Sequence, residues 1–147
     1  MQMVFRPLKQ APPRISEEAN HLFKTAQTLP PAANARIAAS IWDGNLYLDD
    51  GYNSLKTHPF QKKYGKNENC IHLHAEINAI RNATRTLSSG SLKGCTMVVV
   101  RAKKASPRGP WVWGMARPCE GCQRAIVAFG IKNVWYSTNE TGVLECL

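Results

Sequence analysis

The chain reads as a single three-layer α/β/α domain in which helices cover both faces of a central mixed sheet of about five strands. Three observations lead there. Segments with helical spacing alternate with segments rich in β-branched residues, which is the order a layered α/β domain requires. One of the latter, "CTMVVVRA" at 95–102, is an unbroken apolar run suited to a strand buried on both faces. Asp43-Gly44 between two such runs supplies the backbone freedom of a tight hairpin. At 147 residues the chain has the length of one ordinary domain, able to bury a core without disulfides.

Taken in order, residues 1–14 are rich in proline and basic groups and form an N-terminal arm, and residues 15–147 form the domain. "SEEANHLFKTAQTL" opens with Ser16 as a helix cap and acidic residues in its first turn. It carries apolar positions at Ala19, Leu22, Phe23 and Ala26 and ends before Pro30. "ARIAASIW", "DGN" and "LYLDDGYN" make the hairpin. "SLKTHPFQKKYGKNEN" follows as an irregular basic stretch, too long for an ordinary connection. A helix from about His74 to Leu87 comes next, with Ile77, Ile80 and Ala83 on its core face. After the buried strand, the loop "KKASPRGPWVWGMAR" leads to "PCEGCQRAIVAFG", a helix opened by proline and closed by Gly130. "IKNVWYS" is a strand. Only "TNET" separates it from "GVLECL", so a last strand there has to turn back antiparallel.

Composition narrows the function classes. No run of about 18 apolar residues is present and the N-terminus has no signal-peptide pattern, which argues for a cytoplasmic protein with no membrane partner. The cysteines at 70, 95, 119, 122 and 146 are odd in number and unevenly scattered, as reduced thiols are. A net charge of +9 attracts nucleotides and other polyanions, nucleic acid included, and equally serves solubility.

The chemistry concentrates in two places. In "HLHAEINAI", His74 and Glu76 stand two apart at the mouth of an apolar helix that has no packing use for them. Some 45 positions on, "PCEGC" puts Cys119 and Cys122 at another helix start, where the spacing aims both sulfurs at one point and the helix N-terminus favours thiolate. Two thiolates and the His74 imidazole make three zinc ligands with a fourth position open to water, the arrangement of a catalytic site. Glu76, beside the metal and not on it, is then placed to move protons. A lone Cys-x-x-Cys also suits a redox motif or a structural zinc knuckle, but neither explains the glutamate. His21, His58 and His72 are assigned no metal, and Cys70, Cys95 and Cys146 read as small apolar groups or idle thiols.

H-x-E followed by P-C-x-x-C is the signature of zinc deaminases. "HAEINAI" and "RPCEGCQRAI...GIKNVWYS" resemble the cytidine and deoxycytidylate deaminase superfamily over roughly residues 36–137, and "HAEINAI" with "GYN" is most similar to the deoxycytidylate branch. The resemblance implies a cytidine deaminase-like fold with Zn2+ on His74, Cys119 and Cys122, and Glu76 as proton shuttle. It implies that the backbone at Ala75 reads the base, that Asn53 of "DDGYN" binds the substrate sugar, and that copies of the chain associate as a homo-oligomer. Asn53 can equally close a turn. Trp111 and Trp113, just before the cysteines, suit either a pocket wall that stacks on a base or core packing. The lysines of "QKKYGK" and "RAKK" offer phosphate contacts or simply a solvated face. "NSLKTHPF" departs from the glycine- and proline-rich turn usual in that branch.

The expected activity is hydrolytic deamination of a cytosine nucleotide such as dCMP, a small-molecule substrate. The first rival is deamination of a cytosine or adenine base within RNA or single-stranded DNA, with the basic loops 61–66 and 101–108 tracking the backbone. The second is a zinc-stabilised binding module without catalysis, which has no need of Glu76.

Overall fold

The computed structural model describes residues 10–29, 36–57, 59–64, 72–87 and 91–147. Helix α1 spans Pro13–Gln27 and therefore begins before the expected Ser16 cap. Pro13 sits in the first turn, where its fixed φ is already helical and its missing N–H costs nothing. The Pro12 carbonyl accepts from the N–H groups of Ile15 and Ser16, so Ser16 lies inside the helix. Ile15, Ala19, Leu22 and Ala26 form its buried stripe.

Strands β1 (Arg36–Asp43) and β2 (Leu46–Tyr52) are the expected hairpin, with Asp43 paired to Leu46 and Gly44 at φ +59° in the turn. The stretch expected to be irregular contains strand β3 (Ser54–Thr57) and the short helix α2 (Pro59–Tyr64). β3 pairs with strand β4 (His72–Leu73) in a small second sheet. Helix α3 (Ala75–Thr86) follows, then the nine-residue strand β5 (Thr96–Lys104). The tryptophan-bearing segment, expected to be a loop, doubles back as strand β6 (Trp111–Gly114). Helix α4 (Glu120–Ala128) ends at Gly130, whose φ is +80°, and strands β7 (Asn133–Ser137) and β8 (Leu144–Cys146) complete the chain.

The main sheet has six strands, one more than expected, because β6 joins it. Its order is β2-β1-β5-β7-β8, with β6 beside the C-terminal half of β5. β7 runs parallel to β5 along Thr96–Val99, while the other pairings, β7 with β8 among them, are antiparallel. The sheet is thus mixed, and its last strand turns back as the short connection demands. β6 and β7 meet end to end along one edge of β5. There the buried Ser137 hydroxyl accepts from the Arg101 N–H at 3.0 Å and donates to the Gly114 carbonyl at 2.7 Å.

Alternation along β5 divides the core. Met97 and Val99 face the α3 and α4 layer with Ala39, Ile41, Val134 and Tyr136. Val98, Val100 and Ala102 face α1 with Ala38 and Trp135. α3 lies unusually close to β2 at Gly51, where a Cβ would overlap the Ala79 nitrogen and stand 2.8 Å from the Ala75 carbonyl oxygen. Asn78 and Asn82 fasten the contact, their side-chain amides donating to the carbonyls of Tyr52 and Asp50. Among the described residues, no helix is long and apolar enough to cross a membrane.

Candidate active site

The N-termini of α3 and α4 converge, and the chain places its metal-binding residue types there. His74 is the N-cap of α3, in extended conformation with φ −81° and ψ 153°. Cys119 is the N-cap of α4, likewise extended, and its sulfur accepts from the Cys122 N–H one turn on at 3.5 Å. An N-cap residue points its side chain across the helix end and not along its flank. Two facing caps therefore aim at one point.

The His74 Nδ1 lies 3.6 Å from the Cys119 sulfur and 3.3 Å from the Cys122 sulfur. All three donor atoms fall within 4.8 Å of one another. A tetrahedral zinc with bonds of about 2.3 Å to sulfur and about 2.0 Å to nitrogen sets sulfur–nitrogen edges of about 3.5 Å. The donor set and its spacing fit Zn2+, and Nδ1 is the His74 nitrogen that faces both sulfurs.

Charge at the cluster follows from contact. Cys119 is held down to about 3, chiefly by the hydrogen bond from the Cys122 thiol and also by His74 and the Cys122 N–H. Cys122 moves the other way, pushed up because its proton serves Cys119, because it is buried and because Glu76 is near. Two close sulfurs with opposed shifts beside an imidazole suit a divalent cation, whose binding displaces thiol protons. Glu76, in the first turn of α3, is 5% exposed. Burial raises its carboxyl above the ordinary range, while its own backbone N–H and His74 oppose the shift. The Cys122 thiol also favours the charged form of this carboxyl. The structure thus brings His74, Glu76, Cys119 and Cys122 together, with Ala75 buried between the first two.

Trp113 requires a correction. It pairs with Ala102 on β5 and shares that residue's face, so it enters the α1 side of the core and stacks on Phe23 at 4.5 Å with the rings 6° apart. The sheet lies between it and the cysteines it precedes in sequence, so Trp113 is core and not pocket wall. Asn53 has structural duties: its side-chain oxygen accepts from the Ile37 N–H at 2.9 Å and its own N–H donates to the Ile37 carbonyl. The basic groups of the two lysine runs are partly engaged. Lys63 sits over Tyr64, Lys104 sits over Trp111, and Lys103 donates to Asn139. Lys66, Cys70 and His58 lie outside the described residues.

Sequence reasoning missed Gln61. It is fully buried on α2, and its Oε1 accepts from the His74 N–H at 2.9 Å. Its Nε2 is buried without a hydrogen-bond partner among the described residues. A glutamine inside a basic stretch carries no motif, and only the folded position of α2 against α3 and α4 reveals it. A buried orphan donor costs about 1–3 kcal/mol, so its presence asks for a reason.

A family model described as the cytidine and deoxycytidylate deaminase zinc-binding region matches residues 14–138. None of the curated proteins searched matches the chain. Among solved structures, the dCMP deaminase of cyanophage S-TIM5 in apo form is similar at a TM-score of 0.58 and 21% identity, with 90% of each chain covered. The same phage enzyme in complex with dCMP and dUMP gives a TM-score of 0.50 at 19% identity, over 86% of this chain and 83% of that one. At such identities the likeness establishes a shared fold.

Proposed function

The chain belongs to the cytidine and deoxycytidylate deaminase family, and from that premise we propose that it catalyses the zinc-dependent hydrolytic deamination of a cytosine nucleotide resembling dCMP. The observation that carries the reading is a buried carboxyl, Glu76, facing a three-donor metal cluster that it does not complete. A purely structural metal centre has no use for it. Support for the substrate comes from the "HAEINAI" and "GYN" motifs and from the phage enzyme of the same fold, which is described in complex with dCMP and dUMP.

His74, Cys119 and Cys122 would hold the ion. Bound there, Zn2+ supplies Lewis acidity that brings the ionisation of water toward neutral pH. Across the reaction, water adds to the amine-bearing carbon, the carbon–nitrogen bond breaks, and the uracil nucleotide and ammonia form. Glu76 is the proton carrier. Its raised carboxyl lies nearer the pH at which it can both accept a proton from water and deliver it, first to the ring nitrogen and then to the departing amine. Burial of Glu76 and Ala75 keeps bulk water from competing for those protons. The backbone at Ala75, between ligand and shuttle in the chain, would read the edge of the base.

Ammonia release is to be measured across dCMP, its triphosphate, cytidine, adenosine and short oligonucleotides with zinc-loaded protein. Activity on dCMP is the expected result. The +9 charge favours a second reading, a base within RNA or single-stranded DNA, and turnover confined to oligonucleotides would establish it in place of the first.

A further inference from the structure

Gln61, the buried residue next to the metal cluster, directly follows the stretch in which this chain departs from the deoxycytidylate branch. Its amide orientation is fixed by chemistry. The His74 backbone N–H can only donate, so the end of the amide that meets it at 2.9 Å has to be oxygen. The oxygen and nitrogen of an amide are about 2.3 Å apart, which puts Nε2 within about 5 Å of the His74 nitrogen. The other end is thus a fully buried NH2 group with no partner among the described residues, at the mouth of the helix that carries both His74 and Glu76.

Both ends bear on the site. His74 is an N-cap, so the direction of its side chain depends on how its backbone is held. The Gln61 oxygen is its side-chain acceptor, 13 residues distant in sequence. α2, which carries Gln61, packs on both α3 and α4, the two helices whose first turns supply the donor atoms. Tyr64, one turn on, packs against Phe129 just past the end of α4, and the Arg124 guanidinium donates to the Tyr64 carbonyl at 3.4 Å. The glutamine therefore stands on an element braced by both halves of the metal cluster. Were Gln61 only filler, an apolar residue of the same size would avoid the orphan donor. A buried polar group left unpaired requires an explanation, and a place beside a reaction centre points to a role toward the bound ligand.

We propose that Gln61 is a positioning residue for the zinc ligand His74 through Oε1, and that its Nε2 is the donor for an acceptor oxygen of the bound nucleotide. The second half rests on the nucleotide deaminase reading above, and the first half does not.

Two substitutions separate the halves. Gln61→Leu removes both functions, whereas Gln61→Glu, measured at a pH where the introduced carboxyl is ionised, keeps an acceptor for the His74 N–H and removes the donor. Zinc release to a chromophoric chelator is measured on the zinc-loaded proteins, together with the visible spectrum of cobalt-substituted protein and the thermal midpoint as a check on folding. Outer groups that orient a metal ligand typically change affinity 10- to 100-fold, so zinc release from Gln61→Leu is expected to accelerate at least tenfold with an altered cobalt spectrum. Gln61→Glu should stay within about threefold of wild type, a rescue expected because the acceptor is retained. Wild-type zinc retention and an unchanged cobalt spectrum in Gln61→Leu would overturn the positioning role. So would equal loss in both variants.

Calorimetric binding of dCMP and dUMP to the zinc-loaded proteins tests the donor. Binding to Gln61→Glu should be at least tenfold weaker than to wild type, a loss of the size expected for one buried donor. Equal binding overturns the donor half. If wild type binds neither nucleotide, the donor half and the dCMP reading fail together, and the zinc measurements still decide the positioning role.

Discussion

Glu76 shows how one side chain can be costly to the fold and useful to the chemistry. Its burial disfavours the charged carboxylate, so its folded pKa exceeds its unfolded value. In the zinc-free protein the unfolded state therefore releases its proton first. Stability tied to this group is intact below the ordinary carboxylate range and declines as pH rises through the raised folded value. Glu76→Gln should remove that decline, so that zinc-free mutant and wild type diverge in thermal midpoint as pH rises, the mutant being the more stable. In the zinc-loaded protein the same change should lower kcat by about 10²- to 10⁴-fold while zinc content stays at wild-type level. Loss of the metal in that variant would show that Glu76 is a ligand and not a shuttle. Glu76 stood out as a candidate in the sequence because an acid two positions from a histidine has no packing purpose on an apolar helix. Gln61 had no such contrast with its neighbours, which are polar and basic.

At the level of elements, the site exists because α3 is set down closely and in one place. Gly51 permits this, since the atoms nearest its missing side chain are α3 backbone and cannot swing aside. Gly51→Ala should cost about 1–3 kcal/mol through overpacking. Chemical denaturation measures that loss, and zinc release should accelerate in parallel because the displaced end of α3 carries His74. A fully stable Gly51→Ala protein would mean that the helix can shift without penalty. The elements themselves were legible to different degrees. α3, α4, the hairpin and β5 carry strong periodicity, caps or turn residues, and they lie where expected. β6 was not readable, since "WVWG" is short and flanked by glycine and proline, and only pairing with β5 makes it a strand. That pairing also removed Trp113 from the pocket, because the register with Ala102 decides which face the ring enters. α1 starts early for a local reason: Pro13 is a better first helical residue than Ser16 is a cap.

Across the whole molecule, a zinc ion held by His74, Cys119 and Cys122 would crosslink segments 45 residues apart, from His74 to Cys119. A ligand that binds only the folded state stabilises it by mass action. Stripping zinc should lower the thermal midpoint, at about 2–4 °C for each kcal/mol lost in a chain of this size, and zinc but not magnesium should restore both midpoint and activity. A midpoint indifferent to chelation would contradict a resident ion. The net charge of +9 lends itself to a second measurement. With a small nucleotide as substrate, KM should change by no more than a few fold between 50 and 200 mM salt, whereas a protein making six to ten phosphate contacts along a nucleic acid loses about 10³- to 10⁵-fold in affinity over that range. The steep slope would move the substrate from nucleotide to polymer.

What the sequence determined by itself was local chemistry: which residues can bind zinc, which acid is spare, which segments have helical or strand periodicity, and that a four-residue connection forces the last strand antiparallel. These follow from residue type and short-range spacing. What only the tertiary structure decided was which face and which neighbour each side chain meets, as in Trp113 packed under α1, Asn53 bonded to Ile37, and Gln61 holding the His74 backbone. Those outcomes depend on strand register and helix docking between segments far apart in the chain, and no spacing within a single segment encodes them.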